Sequence, residues 1–311
     1  MSDQPGHTEE PTEPGMPEPP KPTEPARRNR NRRPLVIAAI VVVVAVVGGG
    51  VWWVNRPAVA QPTPTQSQTP TPRPTKEEFP ANDTVYDLAS LRTVDVFAVI
   101  PELPVDDRSG EFTGEGATPI AAGAAVFADP TGEPVGQLPN KLDYDGTTVP
   151  IIEKQANWVK VLLAGRQSVP ATGQMMGWLR TQDVTLSPLP DYVTVSLSAF
   201  TIDIVRNGTD EQIANDFGYG RPETPTPVGR TFIMTVQSFP EMAYTRGEPI
   251  IYLSVQSPTL KGFGGADVAI TAFHYHDQRT GSISNGCIRV GPETLAALSA
   301  LPLGTPVIIN A

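Results

Sequence analysis

Three side chains in the last fifth of this sequence have types and spacing that suit covalent chemistry: His274, His276 and Cys287. A cysteine attacks as its thiolate, and a free thiol with a pKa near ~8.5 is mostly protonated at neutral pH, so a base or cation must serve it. Histidine is the usual supplier. The chain has 3 histidines and 1 cysteine, and His7 lies in an acidic, proline-rich N-terminal tail. His274 and His276 are therefore the two candidate bases. They stand two apart on a predicted strand, so both project from one face and either can serve Cys287 once the intervening loop turns back. Around the nucleophile, Ser284-Asn285-Gly286-Cys287-Ile288-Arg289 is a glycine-containing turn able to bring backbone N–H groups close to a bound carbonyl. Arg289 has two readings: its fork orients a substrate carboxylate, or it braces the loop through carbonyl oxygens. Two plainer readings of the cluster compete. A lone cysteine is often a small buried hydrophobe, and His274, His276, Asp277 and Cys287 also have the donor chemistry of a mononuclear zinc site.

Composition narrows what such a site would act on. The net charge of -10, with no Lys/Arg cluster after Arg33, argues against a nucleic-acid partner. A single cysteine excludes an intramolecular disulfide, and without CxxC spacing there is no signal for structural zinc or a redox pair.

Much of the 311-residue chain reads as linker. Residues 1–34 form an acidic, proline-rich tail expected to be disordered and cytoplasmic. From Leu35 to Val54, LVIAAIVVVVAVVGGGVWWV carries no charge over about 20 residues, enough to cross a bilayer as one helix. Arg27, Arg28, Arg30, Arg32 and Arg33 precede it, which keeps the N-terminus inside and sends the bulk of the chain outward. The rival is a cleaved signal peptide ending at Ala58-Val59-Ala60, although such apolar regions normally run only ~7–15 residues. Residues 55–81 repeat Thr-Pro units that favour extended polyproline conformations, a semi-rigid spacer. Residues 82–116 offer few distinctive features and read as a connecting segment of uncertain structure.

The rest is expected to be mostly β. Short apolar stretches between Ala117 and Leu186 (AAVFA, TTVPIIE, NWVKVLL, GWLRTQDVTL), punctuated by Gly, Pro, Asn and Asp, predict a small β-barrel. The order NWVKVLL then GWLRTQDVTL resembles bacterial SH3-like domains, placed here at 117–188. Trp158 and Trp178 are either barrel packing or the lining of a ligand groove. From Asp191, YVTVSLSAFTIDIV alternates apolar and polar residues as a strand with one buried face does, and TFIMTV, PIIYLSV, DVAITAFHYH and TPVIIN follow. Only Pro292 to Leu301 has helical spacing, with proline at its start and Leu295, Leu298 and Leu301 on one side.

Ser284-Asn285-Gly286-Cys287-Ile288-Arg289, with Phe273-His274 upstream, Thr226-Pro227-Val228-Gly229 before that and Gly304-Thr305-Pro306-Val307-Ile308 at the end, resembles the L,D-transpeptidase (YkuD-type) catalytic domain over 191–311. The resemblance implies a β-rich fold in which Cys287 attacks a stem-peptide carbonyl of peptidoglycan and passes the acyl group to an amine, without metal or cofactor. It implies His274 as base, with His276 as the alternative register, the Tyr275 carbonyl orienting the imidazole, and the N–H groups of Gly286 and Cys287 holding the oxyanion. Asn285 stands where many members have a second histidine; it donates and accepts hydrogen bonds but carries no proton as a base. A chain of this kind would be a single-pass membrane protein working at the cell wall. The alternatives are an L,D-carboxypeptidase, with water as acceptor, and an inactive wall-binding protein.

Overall fold

A computed structural model describes residues 78–142 and 147–311. The expected tail at 1–34, the transmembrane helix at 35–54 and most of the Thr-Pro spacer lie outside the described residues. Among the described residues no helix is long and apolar enough to cross a membrane.

The folded unit starts earlier than residue 82. Phe79 packs edge-on against Trp178 with ring centroids 5.4 Å apart, its N–H donates to Gln155 Oε1 at 2.9 Å, and Trp158 Nε1 donates to the Pro80 carbonyl at 2.8 Å. The end of the 55–81 spacer is thus part of the fold, because an indole N–H buried without an acceptor would be costly. Both tryptophans are buried in this aromatic cluster with Phe127, so the packing reading of Trp158 and Trp178 holds and the groove reading does not.

Seven strands make the first sheet: β1 (Glu115–Pro119), β2 (Gly123–Phe127), β3 (Pro134–Pro139), β4 (Val149–Lys154), β5 (Trp158–Leu163), β6 (Met175–Arg180) and β7 (Val184–Pro188), in the order β3-β2-β6-β5-β4-β1-β7. Every pairing in it is antiparallel. The first strand begins two residues before the expected boundary at 117. The segment read as featureless, 82–116, supplies Val94, Ile100 and Leu103 to the core of this sheet, all fully buried.

The second sheet has ten strands: β8 (Tyr192–Ser196), β9 (Thr201–Arg206), β10 (Thr209–Ala214), β11 (Gly218–Gly220), β12 (Gly229–Gln237), β13 (Ile250–Gln256), β14 (Ile270–Tyr275), β15 (Gly281–Ser284), β16 (Ile288–Val290) and β17 (Pro306–Asn310). Their order is β10-β9-β8-β17-β12-β13-β14-β16-β11-β15. Among the described residues the one α-helix, α1 (Pro292–Ser299), carries proline in its first turn, where the missing N–H would be unsatisfied in any case, and buries Leu295 and Leu298. Strand β12 belongs to both cores. Phe232 joins the core of the first sheet and its neighbour Ile233 that of the second, as the two-residue period of a strand requires.

Polar contacts also tie the sheets together. Asp106 and Arg230 form a buried bidentate ion pair, Ser254 Oγ donates to Gln174 Oε1 at 2.7 Å, and Gln256 Nε2 donates to the Val96 carbonyl at 2.7 Å.

Candidate active site

Parallel pairing of β14 with β16 assembles the site. Phe273 stands opposite Ile288, His274 opposite Arg289 and Tyr275 opposite Val290, so Cys287 enters β16 beside the strand that carries His274. Strand β14 ends at Tyr275, where β16 also runs out of partners. His276 therefore lies just beyond the strand, and the expectation that it shares a strand face with His274 is corrected: its position is set by a turn in which the Gln278 N–H donates to His276 Nδ1 at 3.0 Å.

Hydrogen bonds separate the two histidines chemically. His274 Nδ1 lies 2.8 Å from the Tyr275 carbonyl, which only accepts, so Nδ1 carries the proton and Nε2 keeps its lone pair. His276 Nδ1 accepts from a backbone N–H, which in the neutral ring puts the proton on Nε2. Of the two Nε2 atoms, only that of neutral His274 is a base.

Burial keeps both reacting groups neutral at rest. It pulls the His274 pKa down to about 4, with smaller contributions from Arg289 and His276, and the bond to the Tyr275 carbonyl opposes the shift. Burial likewise pushes the Cys287 thiol up, against smaller opposing effects from the Ala272 backbone and Arg289. The cysteine is partly exposed, and its sulfur sits 3.9 Å from the Ile270 carbonyl. The two groups rest as thiol and imidazole rather than thiolate and imidazolium, so any attack by this sulfur would require removal of its proton in the same step.

This shift has a consequence for stability. An unfolded histidine titrates near ~6.5, so between that pH and about 4 the unfolded chain binds more protons at this position than the folded one. Folding stability therefore falls as pH drops through that window, by about 3 kcal/mol from this group. Urea unfolding of wild type and His274→Gln at several pH values is expected to show the smaller acid loss in the variant.

The nucleophile loop is braced from the segment after β11. Thr226 Oγ1 donates to the Gly286 carbonyl at 2.9 Å and accepts from the Gly220 N–H at 2.9 Å. The Arg221 N–H and Thr224 Oγ1 both donate to the Ser284 carbonyl, at 3.1 and 3.2 Å. Gly220 has no room for a side chain, since a Cβ there would lie 2.4 Å from the Thr224 oxygen and the Thr226 nitrogen. Gly286 takes φ +112°, a conformation strained for any other residue. Ser284 Oγ donates to the Cys287 carbonyl at 2.6 Å and accepts the Gly286 N–H at 3.1 Å. The Gly286 N–H, expected at the oxyanion, is thus committed inside the turn, and Ser284 acts as an internal brace.

Arg289 Nη1 donates to the Gln278 carbonyl, in the turn after β14, at 3.1 Å. Its Nε, though buried, has no partner. The side chain nonetheless lines a cleft of about 800 Å³ that contains Cys287, His274, His276, Ser284 and Asn285. Val96, Phe97 and Leu142, which precede or belong to the first-sheet region, line the same cleft. Asp277 is engaged elsewhere, by Arg246 at 2.8 Å and the Tyr275 hydroxyl at 2.9 Å, and the Arg246 bond holds its carboxyl below the usual range. Among the described residues no group of three or more His, Cys, Asp or Glu is placed to hold a metal ion.

Two residues escaped the sequence reading, one lining the cleft and one bonded to a residue that lines it. Tyr244 lies in a short 3₁₀ turn, its ring centroid 5.5 Å from that of His274 and 6.0 Å from that of His276; burial and the nearby Cys287 raise its pKa. Arg221 donates through Nη2 to Asn285 Oδ1. Neither belongs to a pattern one sequence displays, since each meets the site from another loop.

A search of curated proteins gives no match. Solved structures with detectable likeness include an L,D-transpeptidase from Stackebrandtia nassauensis (16% identity, TM-score 0.29, covering 39% of this chain and 55% of that one). Another from Mycobacterium smegmatis has 15% identity and TM-score 0.30, covering 53% of this chain and 100% of that one. A third is L,D-transpeptidase 3 from Mycobacterium tuberculosis with a faropenem-derived adduct, at 17% identity and TM-score 0.29, covering 50% and 92%. Residues 190–309, which carry Cys287 and His274, match the YkuD family model, the L,D-transpeptidase catalytic domain.

Proposed function

We propose that residues 191–311 form a peptidoglycan L,D-transpeptidase that cross-links stem peptides through a thioester on Cys287. The observation that carries this reading is the bond from His274 Nδ1 to the Tyr275 carbonyl, which leaves an Nε2 base in the cleft that holds the only cysteine. In the first half-reaction the Cys287 sulfur attacks the donor carbonyl while His274 Nε2 takes the thiol proton. The carbonyl electron pair moves to oxygen, where the Cys287 N–H is the backbone donor we assign to it, Gly286 being committed to Ser284. Collapse breaks the C–N bond; the departing amine of the terminal D-residue takes the proton from the imidazolium, and the thioester remains. In the second half the acceptor amine attacks the thioester, His274 takes its proton, and the C–S bond breaks to return a protonated sulfur and a neutral histidine. Asn285, in place of a histidine, takes no part in proton transfer.

Residues 35–54 in this reading anchor the protein in the membrane with its N-terminus cytoplasmic, and the Thr-Pro spacer sets the catalytic domain at the wall. The antiparallel sheet of β1–β7 is the SH3-like unit of the same reading. The test is intact mass of the purified chain mixed with a tetrapeptide stem. A mass increase equal to the stem minus the free terminal amino acid that is released, lost on adding an acceptor stem as cross-linked dimer appears, is expected. Trimmed tripeptide alone makes the protein a carboxypeptidase, and no adduct across pH 6 to 8 overturns the enzyme reading.

A further inference from the structure

Two guanidinium groups stand at the nucleophile loop without a carboxylate between them. Arg289 lines the cleft with a buried, unpartnered Nε. Arg221 is exposed and reaches across from the segment after β11 to Asn285, the cleft residue two before Cys287. Among the described residues neither arginine takes part in an ion pair, a state they share with Arg92, Arg108, Arg166 and Arg279 but not with Arg180, Arg206, Arg230 and Arg246. A protein of net charge -10 thus leaves its positive side chains unneutralised beside the cysteine.

We infer that Arg221, held by Asn285, and Arg289 together receive the carboxylate of the donor's terminal D-residue, the group that leaves when the thioester forms. The inference rests on the transpeptidase reading and adds a determinant that the resemblance did not supply. Geometry favours this carboxylate over others. The leaving residue's carboxylate lies one residue from the carbonyl that Cys287 attacks, and Asn285 and Arg289 flank Cys287 by two residues on either side. An arginine only donates, so Asn285 presents Oδ1 to Arg221 and its amide N–H₂ is left as a further donor toward the cleft. The two cations also repel: burial first, and then Arg221, lower the Arg289 pKa, so an anion bound between them relieves a cost already present in the free protein.

The competing account makes Arg221 a brace for Asn285 and nothing more. Rates of Cys287 acylation by two tetrapeptide stems, identical but for a free carboxylate or a carboxamide on the terminal D-residue, separate the two. Charge-assisted hydrogen bonds are strong enough that wild-type kcat/KM is expected to favour the acid by roughly 10- to 100-fold. In Arg221→Gln that preference is expected to shrink several-fold, and Arg221→Lys, which keeps the charge but not the fork, is expected to fall between. Taking the acid-to-amide ratio within each variant cancels the different leaving tendencies of the two amines. A brace would slow both substrates alike and leave the ratio intact, and that result overturns the inference. So does a wild type that acylates with both peptides at equal rates. Failure of both peptides to acylate the wild type overturns the transpeptidase reading and the carboxylate site with it.

Discussion

Cys287→Ala is expected to abolish the acyl-enzyme adduct completely, and His274→Gln to slow its formation by roughly 10²- to 10⁴-fold, the usual worth of a positioned base. The second figure follows from the resting state. Burial holds the thiol above its ordinary value and the imidazole near 4, so the fraction of thiolate at neutral pH is small, and attack depends on a base that removes the proton in the same step. His276→Gln is expected to cost far less, because the His276 ring accepts a backbone N–H at Nδ1 and has its proton on Nε2. The pH profile of kcat/KM should agree. A base with a pKa of about 4 loses its function only below that pH, so the acid limb is expected near 4 rather than near ~6.5. Stopped acylation followed by mass spectrometry measures all of these. A His276→Gln loss as large as that of His274→Gln, or an acid limb near 6.5, would remove His274 from the role.

The largest effect on stability is expected from Asp106→Ala. Asp106 and Arg230 are 9% and 6% exposed, and the carboxylate meets Nε at 2.9 Å and Nη2 in a bidentate pair. Arg230 also bonds to the Gly110 carbonyl and lies over the Phe112 ring, so it cannot swing into water without undoing those contacts. Removing its partner strands a buried charge, a change that costs about 3–5 kcal/mol. Replacing both residues with apolar ones of similar volume should cost much less, since the desolvation penalty of both charges disappears with them. Urea denaturation of the single and double variants tests this. A single-variant loss below about 1 kcal/mol would mean that water screens the pair as it does at an exposed surface.

Much of the catalytic domain was legible because its signals are local. Alternation in YVTVSLSAFTIDIV marked β-structure, since a sheet with one buried face imposes a two-residue period on any sequence that forms it, but the one strand expected there is two, β8 and β9, separated by a turn at 197–200. Proline followed by leucines at helical spacing gave α1. The reading failed where the deciding contact was distant. His276 was expected on a strand face, but β16 ends at Val290 and takes β14's pairing with it. Residues 82–116 lack alternation yet carry Val94, Ile100 and Leu103 into a core, because isolated apolar residues are buried by what surrounds them.

The sequence alone narrowed a thiol–imidazole pair to one cysteine and two nearby histidines, and it determined the β-rich class through residue periodicity. The tertiary structure decided which histidine keeps its Nε2 lone pair, where Arg221 meets Asn285 across 64 residues, and how Asp106 meets Arg230 across 124. The physical reason is that tautomer, desolvation and charge pairing depend on neighbours brought together by the fold, and residues that far apart leave no periodic trace of their meeting.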